Sequence, residues 1–259
     1  MKFRPCIDIH NGKVKQIVGG TLRDEGDQAA ENFVSEQDAA YFARMYQNYH
    51  LTGGHVIMLN PQSSPYYSQT KKQALEALRS FSGGLQIGGG IHGENAEEFL
   101  EAGASHVIVT SYVFSNGRIS YENLEKISRI TGPERLVLDL SCRRQGEEYY
   151  IVTDRWQKFT EVPVTVETLK TLGEYCDEYL IHAVDVEGKA KGIETELVKR
   201  LAQYTDHPVT YAGGVGSMED LRQLELLGGG HIDVTVGSAL DLFGGSLPFT
   251  EILAFCSGK

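Results

Sequence analysis

Two aspartates occupy matching frames 131 residues apart, in Ile7-Asp8-Ile9 and Leu138-Asp139-Leu140. Each closes a short, branched apolar run that reads as a buried strand. Carboxyl groups on two sides of a small substrate can divide acid and base work, provided that their surroundings push their pKa values apart. If the two strands face each other across a barrel, the groups stand too far apart to share one proton. The pattern alone leaves open which residue is acid and which is base. One acidic residue in a strand more often caps a loop or bridges to Lys or Arg; recurrence at matching positions is what favours catalysis by Asp8 and Asp139.

Glycine supplies the second constellation. Gly88-Gly89-Gly90 and Ala212-Gly213-Gly214 follow buried-looking strands, where missing side chains let backbone N–H groups close on an anion. Substrate contacts are therefore expected at Gly89, Gly90, Gly213 and Gly214. Gly93-Glu94-Asn95 and Ser217-Met218-Glu219-Asp220 read as helix starts, whose free donors and dipole would add to such sites. Thr110-Ser111 and Gly237-Ser238 end the next strand of each half and bring hydroxyls or further N–H groups. The duplicated arrangement points to two phosphate sites. His182 and Asp185 end a sixth strand and are placed at the same mouth, while His10 is assigned to the outer face. Cys142 has no accompanying base and reads as an unreactive thiol. Tyr66-Tyr67 and Tyr149-Tyr150 read as packing aromatics at loops or at the rim.

The elements that must position these groups alternate between strand-like and helix-like patterns. Strands are expected at Phe3–Ile9, His55–Leu59, Leu85–Ile87, His106–Thr110, Leu136–Leu140, Tyr179–Ala183, Val209–Ala212 and Asp233–Val236. Helices are expected at Ala39–Tyr49, Lys71–Phe81, Ala96–Ala102, Tyr121–Ile130, Val166–Cys176, Glu194–Tyr204, Met218–Leu227 and near Thr250–Phe255. That count describes an α/β chain folded as a (β/α)8 TIM barrel. Repeats strengthen the reading: Leu85–Ile91 matches Val209–Val215, and His106–Ser111 matches Asp233–Ser238, at offsets of 124 and 127 residues. The barrel is thus expected to be one domain over residues 1–259, made of half-barrels of about 1–131 and 132–259. A doubly wound open sheet is the alternative, although it would place one glycine-rich turn after an early strand. Two segments break the rhythm. Gly19–Gln37 reads as a long loop over the mouth, and Arg143–Thr160, with the lone Trp156, as a hairpin or extended loop.

Composition excludes several classes. Twenty-four basic against 35 acidic residues give a net charge of −11, which argues against a nucleic-acid partner. Glycine, at 29 of 259 residues, is in excess, and the clustering above accounts for its most telling members. Cys6, Cys142, Cys176 and Cys256 share no zinc-ligand spacing, so no metal is expected and a reducing compartment is the simplest setting. Without a secretory signal pattern or a membrane-length apolar run, the expectation is a cytoplasmic protein with no membrane partner, read as a monomer.

Taken together, Pro5–Gln16, Gly88–Ile91, Val137–Arg143 and Ala212–Val215 resemble the phosphoribosylformimino-aminoimidazole carboxamide ribotide isomerases of histidine biosynthesis. The likeness covers essentially the whole chain. It is nearest to the divergent branch known from eukaryotes, through Val14–Thr21, Ile181–Gly188 and Leu240–Gly245. The resemblance implies an Amadori rearrangement of an aminoaldose to an aminoketose with no cofactor, on a small-molecule substrate carrying a phosphate at each end. It further implies Asp8 as the base that removes the ribose C2 proton and Asp139 as the acid that opens the furanose. Gly19 and Gly20 join the expected substrate contacts on this basis. Three positions depart from the bacterial pattern: Gln16 replaces a basic residue, Asn60 an acidic one and His182 a threonine. The sister cyclase of imidazole glycerol phosphate synthase carries Lys where this chain has Gln16, which favours the isomerase. A non-catalytic phosphate-binding barrel would keep the glycines without needing both aspartates.

Overall fold

The computed structural model describes residues 1–17, 31–154 and 156–258. Eight parallel strands form its inner wall: β1 (Cys6–His10), β2 (Gly54–Met58), β3 (Leu85–Gly88), β4 (Val107–Val109), β5 (Leu136–Asp139), β6 (Glu178–His182), β7 (Val209–Ala212) and β8 (Ile232–Thr235). Each pairs with its neighbour in sequence. The wall closes just before β1, where Arg4 N–H donates to the Val234 carbonyl at 2.8 Å and Val234 N–H to that of Lys2 at 2.9 Å. Around it run α1 (Ala39–Asn48), α2 (Tyr67–Ser80), α3 (Ala96–Glu101), α4 (Tyr121–Thr131), α5 (Val166–Gly173), α6 (Thr195–Leu201), α7 (Met218–Leu227) and α8 (Phe249–Ser257). This is the expected (β/α)8 barrel.

Alternation along the strands sorts the core into two layers. Ile7, Ile9, Val56, Leu138, Ile181 and Tyr211 join the large apolar cluster that also takes in the helices' buried faces, whereas Ile108, Val137, Leu180 and Ala212 form a small separate cluster with Ile57. Below that cluster, near the amino ends of the strands, the buried Arg4 side chain meets Asp233 at 2.9 Å and Glu178 at 3.1 Å. Above it, the same inward parity delivers Asp8, Asp139 and His182 to the carboxyl ends, where barrels of this type carry their sites.

Both irregular segments contain more strand than the sequence suggests. Gly19–Gln37 is not a loop throughout: Glu31–Val34 pairs antiparallel with Lys13–Ile17, which turns back from β1, so the sheet gains two strands. Its polarity is misleading because the added strand is largely exposed, and Glu31 is held by an ion pair to Lys15. Residues 18–30, including the expected contacts Gly19 and Gly20, lie outside the described residues, as does Arg155. The second segment is a three-stranded antiparallel sheet, Cys142–Gln145, Glu148–Thr153 and Lys158–Pro163, one strand more than a hairpin.

Candidate active site

Asp8 lines a cleft at the carboxyl ends of β1, β6, β7 and β8, together with Cys6, Gln16, His55, His182, Glu187, Gly213, Gly214, Gly237 and Ser238. No Lys or Arg belongs to this lining among the described residues. An anion here meets backbone instead. The N–H groups of Gly213, Gly214, Ser238 and Ala239 donate to no protein acceptor among the described residues, which leaves them to a ligand. Close packing dictates two of the glycines. At Gly89 and Gly214, with φ of +94° and +77°, an added Cβ would overlap the carbonyl oxygens of Met58 and Gly192 respectively.

The first-half group is arranged differently. Gly89, Gly90, Thr110 and Ser111 follow β3 and β4 but do not line the cleft that holds Asp8. Thr110 Oγ1 donates to Asp139 Oδ2 at 3.3 Å, and Ser111 Oγ accepts from Asp154 N–H at 3.2 Å. Nor are the helix starts open. Asp220 accepts from Gly216 N–H at 2.9 Å and from Ser217 Oγ at 2.8 Å, while Ser217 caps α7; Asn95 accepts from His92 N–H at 2.9 Å ahead of the short α3. At the two helix starts expected to serve phosphate, Ser217, Asp220 and Asn95 are thus engaged with neighbouring protein groups.

Asp139 is 9% exposed and surrounded by donors. Its Oδ1 accepts from Ser141 N–H at 2.9 Å and Ser141 Oγ at 2.8 Å, and lies 3.3 Å from His182 Nδ1. Trp156 Nε1 donates to that same Ser141 Oγ at 3.0 Å, and its ring centroid is 6.0 Å from that of His182. The inserted sheet thereby reaches the site. Asp185 is employed elsewhere: its carboxylate binds Arg143 Nε at 2.8 Å and Arg144 N–H at 2.9 Å, anchoring that sheet, and it does not line the cleft. His10 does not belong to the outer face, since residues 8 and 10 share one side of a strand; it is buried and also absent from the lining.

Electrostatics separate the two aspartates. Burial, and then the Glu187 charge, raise Asp8 to about 7, with His182 and the Gln16 amide pulling the other way. Burial also opposes ionisation of Asp139, but the His182 charge and the hydrogen bonds from His182 and Ser141 outweigh it and hold the carboxyl below its usual range. For His182, burial disfavours the cation, yet Asp139, with smaller pulls from Glu187 and Asp8, raises it to about 9. His55 is pushed down to about 3, first by burial and then by His182. The buried Cys142 thiol is raised, which suits its reading as unreactive.

Cys6, His55 and Glu187 line the cleft although nothing in the sequence patterns marked them, and Gln16, noted in the sequence only as a departure from the bacterial pattern, lines it too. Strand parity places Cys6 and His55 with Asp8, and would have found them. Gln16 arrives on an antiparallel return strand, and Glu187 follows β6 by five residues, so neither position follows from the eight-strand pattern. Among the described residues no cluster of three or more His, Cys, Asp or Glu is arranged for a metal, and no helix is long and apolar enough to cross a membrane.

Fold and site together define a (β/α)8 barrel with carboxyl groups at the ends of opposed strands and an amide-lined cleft beside one of them. The chain belongs to the histidine biosynthesis protein family, whose model matches residues 2–247. It is 52% identical over 259 residues to the chloroplastic 1-(5-phosphoribosyl)-5-((5-phosphoribosylamino)methylideneamino)imidazole-4-carboxamide isomerase of Medicago truncatula, covering 98% of this chain and 81% of that one. The isomerases of the same name from Neurospora crassa and Saccharomyces cerevisiae are 49% and 42% identical, with 94% and 95% of this chain and 93% and 94% of theirs aligned.

Proposed function

We propose that this chain is the aldose–ketose isomerase of histidine biosynthesis that carries out the Amadori rearrangement of 1-(5-phosphoribosyl)-5-((5-phosphoribosylamino)methylideneamino)imidazole-4-carboxamide to its phosphoribulosyl form. The observation that carries this reading is the opposed electrostatic setting of Asp8 and Asp139, superimposed on relatives of that name across nearly the full chain. A carboxyl group near 7 is suited to take a proton from ribose C2 and give it back at neutral pH. Asp139 belongs to the other side of the reaction, where the furanose ring oxygen must gain a proton. The free amides after β7 and β8 suit one terminal phosphate, and Gly89, Gly90, Thr110 and Ser111 mark the rim for the other.

In this reading Trp156, beside His182 and hydrogen-bonded to Ser141, shields the ribotide and keeps water from the enolamine intermediate. The enzyme acts as a cytoplasmic monomer of two half-barrels and needs no cofactor. A coupled assay with the aminoaldose tests the proposal: turnover is expected, and Asp8→Asn and Asp139→Asn should each lower kcat by about 10²-fold or more while binding persists. Retained turnover in both variants would sink the assignment. Formation of imidazole glycerol phosphate from ammonia and the aminoketose would replace it with the cyclase reading.

A further inference from the structure

The acid side of the site has an asymmetry. Asp139 has both oxygens engaged as acceptors: Oδ1 by the Ser141 amide and hydroxyl and by His182, Oδ2 by Thr110. It does not line the cleft. An acceptor so fully occupied is a poor place to keep a proton for a substrate. His182, by contrast, does line the cleft, along with Asp8. Its Nδ1 faces Asp139, and its Nε2 makes no hydrogen bond to the described protein. Trp156 at 6.0 Å and His55 at 6.3 Å, the latter edge-on at 76°, fix the ring.

We propose that His182 is the proton donor for furanose opening, delivering the Nε2 proton to the ring oxygen, and that Asp139 is its orienting counter-ion. This deepens the isomerase reading and rests on it. The groups facing His182 are Asp139 from β5, Asp8 from β1, His55 from β2 and Glu187 from the turn after β6. Three are carboxyl groups that favour an imidazolium, and the fourth is neutral near pH 7 because burial and His182 itself hold it down. His182 is therefore the one lining side chain, among the described residues, that brings a positive charge to the reaction. A carboxylate that holds an imidazole in one tautomer and steadies its cation is a familiar division of labour.

The protons balance. As the C1–O bond of the furanose breaks, its electron pair takes the proton from His182, and the amino nitrogen lone pair forms the C1=N iminium. Asp8 then removes the C2 proton, and that electron pair becomes the C1=C2 bond of the neutral enolamine. When the ketone forms, Asp8 returns its proton to C1 and the neutral imidazole takes up the proton of the 2-hydroxyl. Both residues finish as they began.

The test is His182→Gln assayed on the aminoaldose over pH 6 to 10, beside wild type and Asp139→Asn. Wild-type kcat should fall on an alkaline limb near the His182 value of about 9. His182→Gln should lose about 10²- to 10⁴-fold in kcat with KM changed only a few-fold, and should lose that limb. In Asp139→Asn the limb should move toward neutral pH. Imidazole NMR titration of His182 in the wild type, assigned through backbone-to-ring correlations in the wild-type protein itself, gives a readout that does not depend on the variant folding. An imidazolium persisting through pH 8 is expected; a neutral ring at pH 7, or a His182→Gln enzyme within about three-fold of wild type, overturns the proposal. Failure of the wild type to turn over the aminoaldose would instead count against the isomerase reading itself.

Discussion

Gln16 sets its amide nitrogen 3.4 Å from Asp8 Oδ2, so the carboxyl that is raised to about 7 has a neutral amide, not a cation, beside it. The amide stabilises the carboxylate far less than a cation would, and burial prevails. Gln16→Lys should therefore pull the acid limb of kcat/KM down by about 1–3 pH units, the effect of a cation beside an Asp. The sign follows from the base being active when ionised: wild-type activity rises as pH passes about 7, and the variant should gain activity earlier. A limb that stays in place would show that Asp8 does not govern it.

Glycines that look alike in sequence should respond differently to one methyl group. Gly89→Ala and Gly214→Ala force Cβ into the Met58 and Gly192 carbonyls at positive φ, which should cost about 2 kcal/mol or more and lower Tm by roughly 4 °C or more. Gly90 has φ of +70° but nothing within 4 Å of an added Cβ. Gly90→Ala should cost only about 1–2 kcal/mol and raise KM by filling space reserved for phosphate. An unaltered KM in an otherwise stable Gly90→Ala protein would reduce this glycine to turn chemistry.

Arg4 is a structural cation, with side chains of Glu178 and Asp233 at 3.1 and 2.9 Å and all three nearly buried. Removing one partner of such a cluster leaves charge without compensation, so Arg4→Met should destabilise the fold by about 3–5 kcal/mol in urea titrations at pH 8. Glu178 is already raised to about 7, chiefly by burial, so the folded protein binds more protons than the unfolded chain between its ordinary value and 7. Stability contributed there falls as pH rises. The loss caused by Arg4→Met should accordingly be smaller at pH 5.5 than at pH 8, while kcat per folded molecule is unchanged. Equal losses at the two pH values would count against carboxyl repulsion as the cause.

Trp156 is a built-in reporter, being the only tryptophan and lying 6.0 Å from the His182 ring. A protonated imidazole beside an indole quenches its emission, so fluorescence should rise on deprotonation with a midpoint near 9 and shift when Asp139 is replaced. Saturation with a product analogue should also change the signal. Emission indifferent to both would remove Trp156 from the reacting region.

The barrel was legible because its determinants are local. Val209–Ala212 and Met218–Leu227 fall at their expected bounds, and the other strands shift by only a few residues. Asp8 and Asp139 were legible for the same reason, since period-two alternation turns a strand-end residue toward the mouth. What escaped depends on contacts between distant segments. Asp185 lies three residues beyond β6, where alternation no longer governs direction, and Arg143 captures it. Glu187 enters the cleft on the turn after β6 and Gln16 on the added antiparallel strand Lys13–Ile17, both outside the eight-strand pattern. The return strand at Glu31–Val34 was hidden because a partly exposed strand needs little apolar sequence once it has a partner. Asp220 looked like helix-start chemistry that invites an anion, and is itself the anion there.

The bonds from Lys2 and Arg4 to Val234 also impose an order on biosynthesis. Arg4 leaves the ribosome 229 residues ahead of Asp233, an interval of roughly 10–45 seconds at ordinary elongation rates. Throughout that interval the Lys2–Arg4 segment ahead of β1 lacks its partner strand, and Arg4 meets Glu178 before it can meet Asp233. The nascent protein is thus an open sheet until its final strand arrives, and chaperone contact should concentrate on the Lys2–Arg4 segment that β8 eventually covers.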